Sequence, residues 1–307
     1  MRIMYQYSVL ALLALALGAS AESSVRPRVV ATTTLLADVA RAVAGPDAEV
    51  TSLIPLQTDP HAFDPTPRDM ARLQQADLVV ANGLGLETFL DKILAAGGAR
   101  DGRVVVATQG RAPRGCAAEH DHHGHDHGEH DPHVWFDPTW VQLWADNIAA
   151  ALAARDPANA EAYRARAQAY REALDALDRD IQAELAAVPR ERRILVTDHD
   201  EFGYLADRYE LTVVGALLPN VTTVAEASAR ALADLQRRMR ETGARVIVVG
   251  HSANPAMAEQ VARDTGARVI RLHTHSLGPE GSPTATYIDF MRHNIRLLAG
   301  ALRADAP

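Results

Sequence analysis

Residues 156–189 read DPANAEAYRARAQAYREALDALDRDIQAELAAVP. No strand pattern interrupts them. Tyr163, Ala167, Tyr170, Leu174, Leu177, Ile181 and Leu185 recur at spacings of three and four, which places them along one face of a helix. Asp156 offers a cap, Pro157 suits a first helical position and Pro189 ends the run. Some 30 residues at 1.5 Å each would span roughly 45 Å, more than the width of a small domain. The segment is therefore read as a rigid spine joining two lobes. A lone helix packed on a single domain is the alternative.

On either side of the spine, short runs rich in valine and isoleucine alternate with helical patterns. The expected strands are Val29–Thr33, Val50–Ile54, Leu78–Ala81, Val104–Ala107, Ile194–Thr197, Thr212–Ala216, Arg245–Val249 and Arg268–Leu272. Several are apolar throughout, as parallel strands covered on both faces are. Thr66–Gln75, Leu86–Ala96, Ala225–Thr242 and Ala256–Thr265 read as helices. The fold class is α/β, with two lobes, each a mostly parallel sheet flanked by helices, joined by one long rigid helix. The expected division is a signal peptide at 1–21, an N-terminal lobe at 22–150, the linking helix at 151–190 and a C-terminal lobe at 191–307.

The signal peptide rests on Arg2, an apolar run Val9–Leu17 and the cleavage pattern Ala19-Ser20-Ala21. The run is too short to span a bilayer, although a retained anchor is the alternative. No cysteine stands at the cleavage point, which argues against a lipid anchor. Cys116 is the only cysteine of the 307 residues, so no internal disulfide forms and a packed core must carry stability. The formal net charge of −8 argues against nucleic acid as a partner.

Histidines carry the chemistry. Seven of thirteen lie in EHDHHGHDHGEHDPH, 119–133. The loop at 119–130 is too polar to form a core and must lose conformational entropy to wrap an ion. His120, His122, His123, His125, His127 and His130 are read as an accessory metal collector, against a solvated linker with no role. Four histidines, the last of that stretch among them, stand in ordered contexts: His61 and His133 in the related segments DPHAFDPTP (59–67) and DPHVWFDPTW (131–140), His199 after Ile194–Thr197 and His275 after Arg268–Leu272. Loops at the carboxyl ends of parallel strands are where open sheets place ligands. Two precede the spine and two follow it, so an ion held by all four lies between the lobes. The prolines restrict the backbone, and the neighbouring aspartates can fix the imidazole tautomers.

These segments, with NGLGLE (82–87), DHDEFGYLADRYEL (198–211) and THSLGPEGSPTATYIDFMRHN (274–294), resemble the metal-binding solute-binding proteins of bacterial zinc and manganese ABC importers, over about 29–302. The resemblance implies two α/β lobes joined by a long helix, a periplasmic location, an inner-membrane ABC permease as partner and metal ligation by His61, His133 and His199. The His-rich loop points to the zinc branch, and a periplasmic zinc chaperone becomes a further candidate partner. A monomer is expected. The family commonly has an aspartate where this chain has His275. Either His275 is the fourth ligand, or water or a carboxylate such as Glu280 completes the shell, with His273 as a competitor and His251 as a rim residue.

Three or four imidazoles suit Zn²⁺, whereas Mn²⁺ prefers oxygen. An all-imidazole shell leaves the full ionic charge uncompensated, so His275→Asp is expected to tighten Zn²⁺ binding. Affinity is expected to fall as pH drops through about 6.5, the ordinary imidazole range. Two other classes compete with transport. A zinc hydrolase would use Asp200 or Glu201 as its base, but no HExxH and no nucleophile motif is present, and no enzyme is expected. A surface adhesin fits less well without a lipid-anchor cysteine.

Overall fold

Short valine-rich strands build two separate sheets. The computed structural model describes residues 26–90, 102–115, 130–218, 220, 221, 223 and 228–304. The signal-peptide segment, the histidines from 120 to 127 and the end of the expected helix Leu86–Ala96 lie outside them. Arg28–Ala31 (β1), Glu49–Ser52 (β2), Leu78–Ala81 (β3) and Val104–Val106 (β4) pair in the order β2-β1-β3-β4, parallel throughout. Ile194–His199 (β5), Thr212–Leu218 (β6), Val246–Gly250 (β7) and Arg268–Leu272 (β8) repeat that plan as β6-β5-β7-β8. All eight expected strands are present. β5 runs two residues further than its apolar pattern, so that His199 pairs with Leu218 in the ladder itself.

The helices are Thr34–Ala44 (α1), Pro67–Gln75 (α2), Pro138–Arg155 (α3), Ala160–Ala186 (α4), Gly203–Tyr209 (α5), Ala229–Thr242 (α6), Ala256–Thr265 (α7) and Tyr287–Arg303 (α8). The long helix α4 starts later than its proline suggests. Pro157–Asn159 forms a 3-10 turn, and the Asp156 carboxylate accepts from the Asn159 amide and the Tyr163 hydroxyl, both at 2.7 Å, instead of capping a backbone N–H. At 27 residues α4 is about 40 Å long. α1, α3, α5 and α8 were not expected. In α3 the buried stripe Trp140, Val141, Trp144, Ile148 and Leu152 is blurred by Leu143 and by alanines on its other side.

One apolar core runs through both halves. The α4 stripe of Tyr163, Ala167, Leu174, Leu177, Ile181 and Leu185 is buried in it, together with Val29 and Leu78 from the first sheet and Leu195 and Val248 from the second. α4 packs on α1, α3 and α8. Smaller cores cover the far faces, around Val30, Leu73 and Val79 on one side and Val196, Leu235 and Ile247 on the other. Hydrogen bonds cross directly between the halves: Trp135 Nε1 donates to the Thr274 carbonyl at 2.8 Å, Tyr287 Oη to the Trp135 carbonyl at 2.7 Å, and the Leu277 N–H to Thr34 Oγ1 at 3.0 Å. Among the described residues no helix is long and apolar enough to cross a membrane.

Candidate metal centre

Each of the four histidines in ordered contexts is placed by a local device written in the chain around it. After β2, Asp59-Pro60-His61 opens a 3-10 turn in which the Asp59 carboxylate accepts the His61 backbone N–H at 2.9 Å. Asp131-Pro132-His133 repeats the device, Asp131 Oδ1 accepting the His133 backbone N–H at 3.0 Å and bonding its Nδ1 at 2.8 Å. The repeated Asp-Pro-His is thus an aspartate turn that aims an imidazole. Each segment then runs into a helix, though by different caps: Thr66 at the end of the first forms a capping box with Asp69 for α2, and Asp137, the second aspartate of the other, caps α3. His199 ends β5, with Asp198 Oδ1 on its Nδ1 at 2.8 Å and Asp198 Oδ2 accepting the Gly250 N–H at 2.8 Å. His275 follows β8, and its Nδ1 lies 3.2 Å from Thr274 Oγ1.

The four rings converge. Their six centroid separations run from 5.0 to 5.7 Å. One nitrogen from each ring lies within 4.8 Å of the others. Nε2 of His61 and Nε2 of His133 are 3.1 Å apart. With Nδ1 of His133 and His199 held by carboxylates, Nε2 is the free donor on each. Four imidazoles bound tetrahedrally at about 2.0–2.1 Å would hold their ring centres about 5 Å apart. His133, His199 and His275 are 0, 1 and 5% exposed, and His61 is half-buried. Trp135 walls the cluster, 5.2 Å from the His133 ring and 6.0 Å from that of His275.

Burial sets the electrostatics. It lowers the His61 imidazole to about 4, with His199 adding to the effect, and pushes His133 and His275 well below the ordinary range. Burial raises Asp131 to about 6. Asp198 feels the same burial but ends below the usual carboxylate value, because the bonds from His199 and Gly250 outweigh it. Unprotonated imidazoles are what a metal requires. Among the described residues, Nε2 of His199, Nε2 of His275 and both Glu201 carboxylate oxygens are buried with no hydrogen-bond partner.

The remaining candidates fall elsewhere. The His273 ring stacks on His251 at 4.1 Å and lies 6.3 Å from His293, in a separate group. Glu280 is exposed in the turn after β8. His130 makes a bridge to Gly115 outside the four-ring cluster. Sequence reasoning named Glu201 only as a hydrolytic base. The structure puts it, 0% exposed, beside the imidazoles, with Oε2 3.7 Å from His199 Nε2 and 3.6 Å from His275 Nε2. Burial, followed by the neighbouring Asp198, raises its carboxyl well above the usual range. Its position two residues after His199 was the only available signal. The role of NGLGLE was also missed. Glu87 accepts from Thr32 Oγ1 at 2.6 Å and from the Asn82 and Gly83 N–H groups at 2.8 and 3.0 Å, while Asn82 Nδ2 donates to the Pro132 carbonyl at 3.0 Å. The motif is a brace under the His133 turn.

Comparison with known proteins agrees with this architecture. The family described as "ZnuA: Zinc-uptake complex component A periplasmic" matches residues 29–301. The manganese ABC transporter substrate-binding lipoprotein PsaA of Streptococcus anginosus is 29% identical over 301 residues, covering 96% of each chain. The iron-binding protein YfeA of Yersinia pestis is 31% identical over 293 residues, covering 95% of this chain and 91% of that one. The solved structure of the periplasmic zinc binding protein TroA from Treponema pallidum superposes with a TM-score of 0.79 at 29% identity, covering 91% of this chain and 100% of that one. The chain belongs to the zinc-uptake complex component A family of periplasmic proteins, which are metal-binding components of ABC importers and not enzymes.

Proposed function

We propose that this protein captures Zn²⁺ with His61, His133, His199 and His275 and delivers it to an ABC importer permease in the inner membrane. The observation that carries the reading is the near-regular spacing of the four rings, 5.0 to 5.7 Å for every pair, in a buried setting that keeps three of them unprotonated. Nitrogen donors at tetrahedral spacing suit Zn²⁺ better than Mn²⁺. The lobes at 22–150 and 191–307, joined by the helical segment 151–190, supply two donors each. Cys116 as the sole cysteine supports a free periplasmic protein released from a signal peptide, in contrast to the lipoprotein PsaA. His120, His122, His123, His125, His127 and His130 act as an accessory collector, and a periplasmic zinc chaperone is a candidate donor.

Capture of Mn²⁺ or Fe²⁺ is the second reading, favoured by the carboxylate of Glu201 beside two of the donors. Protein lacking residues 119–130, offered equimolar Zn²⁺, Mn²⁺ and Fe²⁺ without an affinity tag, tests both. One equivalent of zinc, lost in His133→Ala, is expected. Manganese or iron in its place would overturn the zinc assignment, and metal retained in His133→Ala would overturn the site.

A further inference from the structure

Glu201 has no explanation in a shell of four imidazoles. Its carboxylate is completely buried, and among the described residues neither oxygen has a hydrogen-bond partner. A buried polar group without a partner is costly, and more so if charged, so it persists where something else satisfies it. Its neighbour Asp198 is already committed, one oxygen to His199 and the other to the Gly250 N–H. Glu201 lies against Asp198 and Thr274 without a bond of good geometry to either, and it groups with Asp198 and His199 as a possible ligand set that shares His199 with the four imidazoles. We propose that Glu201 is a fifth metal ligand, and that the centre binds its ion with four imidazoles and one carboxylate.

The distances support shared coordination over direct pairing. Glu201 Oε2 is 3.7 Å from His199 Nε2 and 3.6 Å from His275 Nε2, too long for a hydrogen bond to either. Two donors each about 2.1 Å from one ion, at an angle near 120°, are separated by about 3.6 Å. Three orphaned groups (the two Nε2 atoms and the carboxylate) are therefore satisfied together by one cation. The charge agrees as well. Four neutral imidazoles in a dry pocket leave the charge of a divalent ion uncompensated, and a carboxylate in contact with it halves that charge where screening by water is weakest. Glu201 also follows the strand-end ligand His199 by two residues, so β5 and the turn after it deliver both.

This inference rests on the metal-capture reading but fails independently of it. Glu201→Gln keeps the shape and removes the charge, and Glu201→Ala removes the ligand. Circular dichroism and the unfolding midpoint of the metal-free proteins establish folding. Zn²⁺ affinity is then measured by chelator competition, and the centre is loaded with Co²⁺, whose visible bands distinguish four- from five-coordinate geometry. Loss of roughly tenfold or more in affinity in both variants, with a changed Co²⁺ spectrum, is expected. Unchanged affinity, or lower affinity with an unchanged spectrum, overturns ligation by Glu201. His133→Ala run in parallel separates that failure from failure of the whole site, because metal retained there removes the centre itself.

Discussion

At the scale of single residues, the centre depends on carboxylates that hold imidazoles as much as on the imidazoles. Asp198 fixes the ring of His199 and ties it to β7 through Gly250. Asp198→Asn is expected to leave the fold intact and weaken Zn²⁺ binding roughly 10–100-fold, since an amide offers one uncharged acceptor oxygen where the carboxylate serves both the His199 ring and the Gly250 N–H. Chelator competition checks this, and wild-type affinity in a folded variant would refute it. His275 gives a sharper case. From the sequence the shell is uncharged and His275→Asp should tighten binding. With Glu201 3.6 Å from His275 Nε2, the substitution brings a second carboxylate against the first. Affinity in His275→Asp is expected to stay level or fall, and a gain would show that Glu201 leaves the ion's charge uncompensated. The four imidazoles were legible in the chain because each stands in a recognisable local pattern. Glu201 was not, because a glutamate one turn from a strand end carries no sign of being buried.

At the scale of elements, NGLGLE shows how a weak motif gains meaning in three dimensions. Gly83, Leu84 and Gly85 all take positive φ, and a Cβ on Gly83 would sit 2.5 Å from Val106 Cγ1. The loop so formed lets Glu87 gather its own amides and lets Asn82 hold Pro132, one residue before His133. Gly83→Ala is expected to destabilise the protein by about 1–3 kcal/mol and to lower metal affinity, through strain transmitted to the His133 turn. Thermal unfolding with and without zinc measures both, and an unmoved midpoint would exclude strain at this site. Strands such as β3 and β7 were readable because parallel strands buried on both faces are apolar without a break. The helices were less so. α4 shows its stripe plainly, whereas α3 has apolar residues off its buried stripe as well as on it, which leaves little contrast to read.

For the whole molecule, two properties follow from burying imidazoles inside a shared core. The unfolded chain binds protons near about pH 6.5 that the folded His133 refuses, because its folded value lies well below. A group of this kind contributes stability that is complete above about 6.5 and is lost as pH falls toward the folded value. Chelator-treated His133→Gln is therefore expected to lose less stability than wild type between pH 7 and pH 5, by urea unfolding; equal losses would remove this contribution. The second property concerns shape. α4, its packing on α1, α3 and α8, and the hydrogen bonds from Trp135, Tyr287 and Leu277 tie the halves into one body. Small-angle scattering is expected to give nearly the same radius of gyration with and without zinc, and a contraction of several ångströms on binding would contradict a stiff spine. The two-lobe plan was legible from the uninterrupted stripe between Tyr163 and Leu185. The continuity of the core was not, since it depends on α1 and α8 reaching the same face of α4 from distant parts of the chain.

That continuity bears on unloading. A protein whose halves are keyed to a common keel cannot spill its cargo by gaping in solution, because separating them exposes the largest apolar interior it has. Escape of a bound metal ion from the isolated protein is therefore expected to be slow, limited by the grip of individual side chains and not by any swing of the lobes.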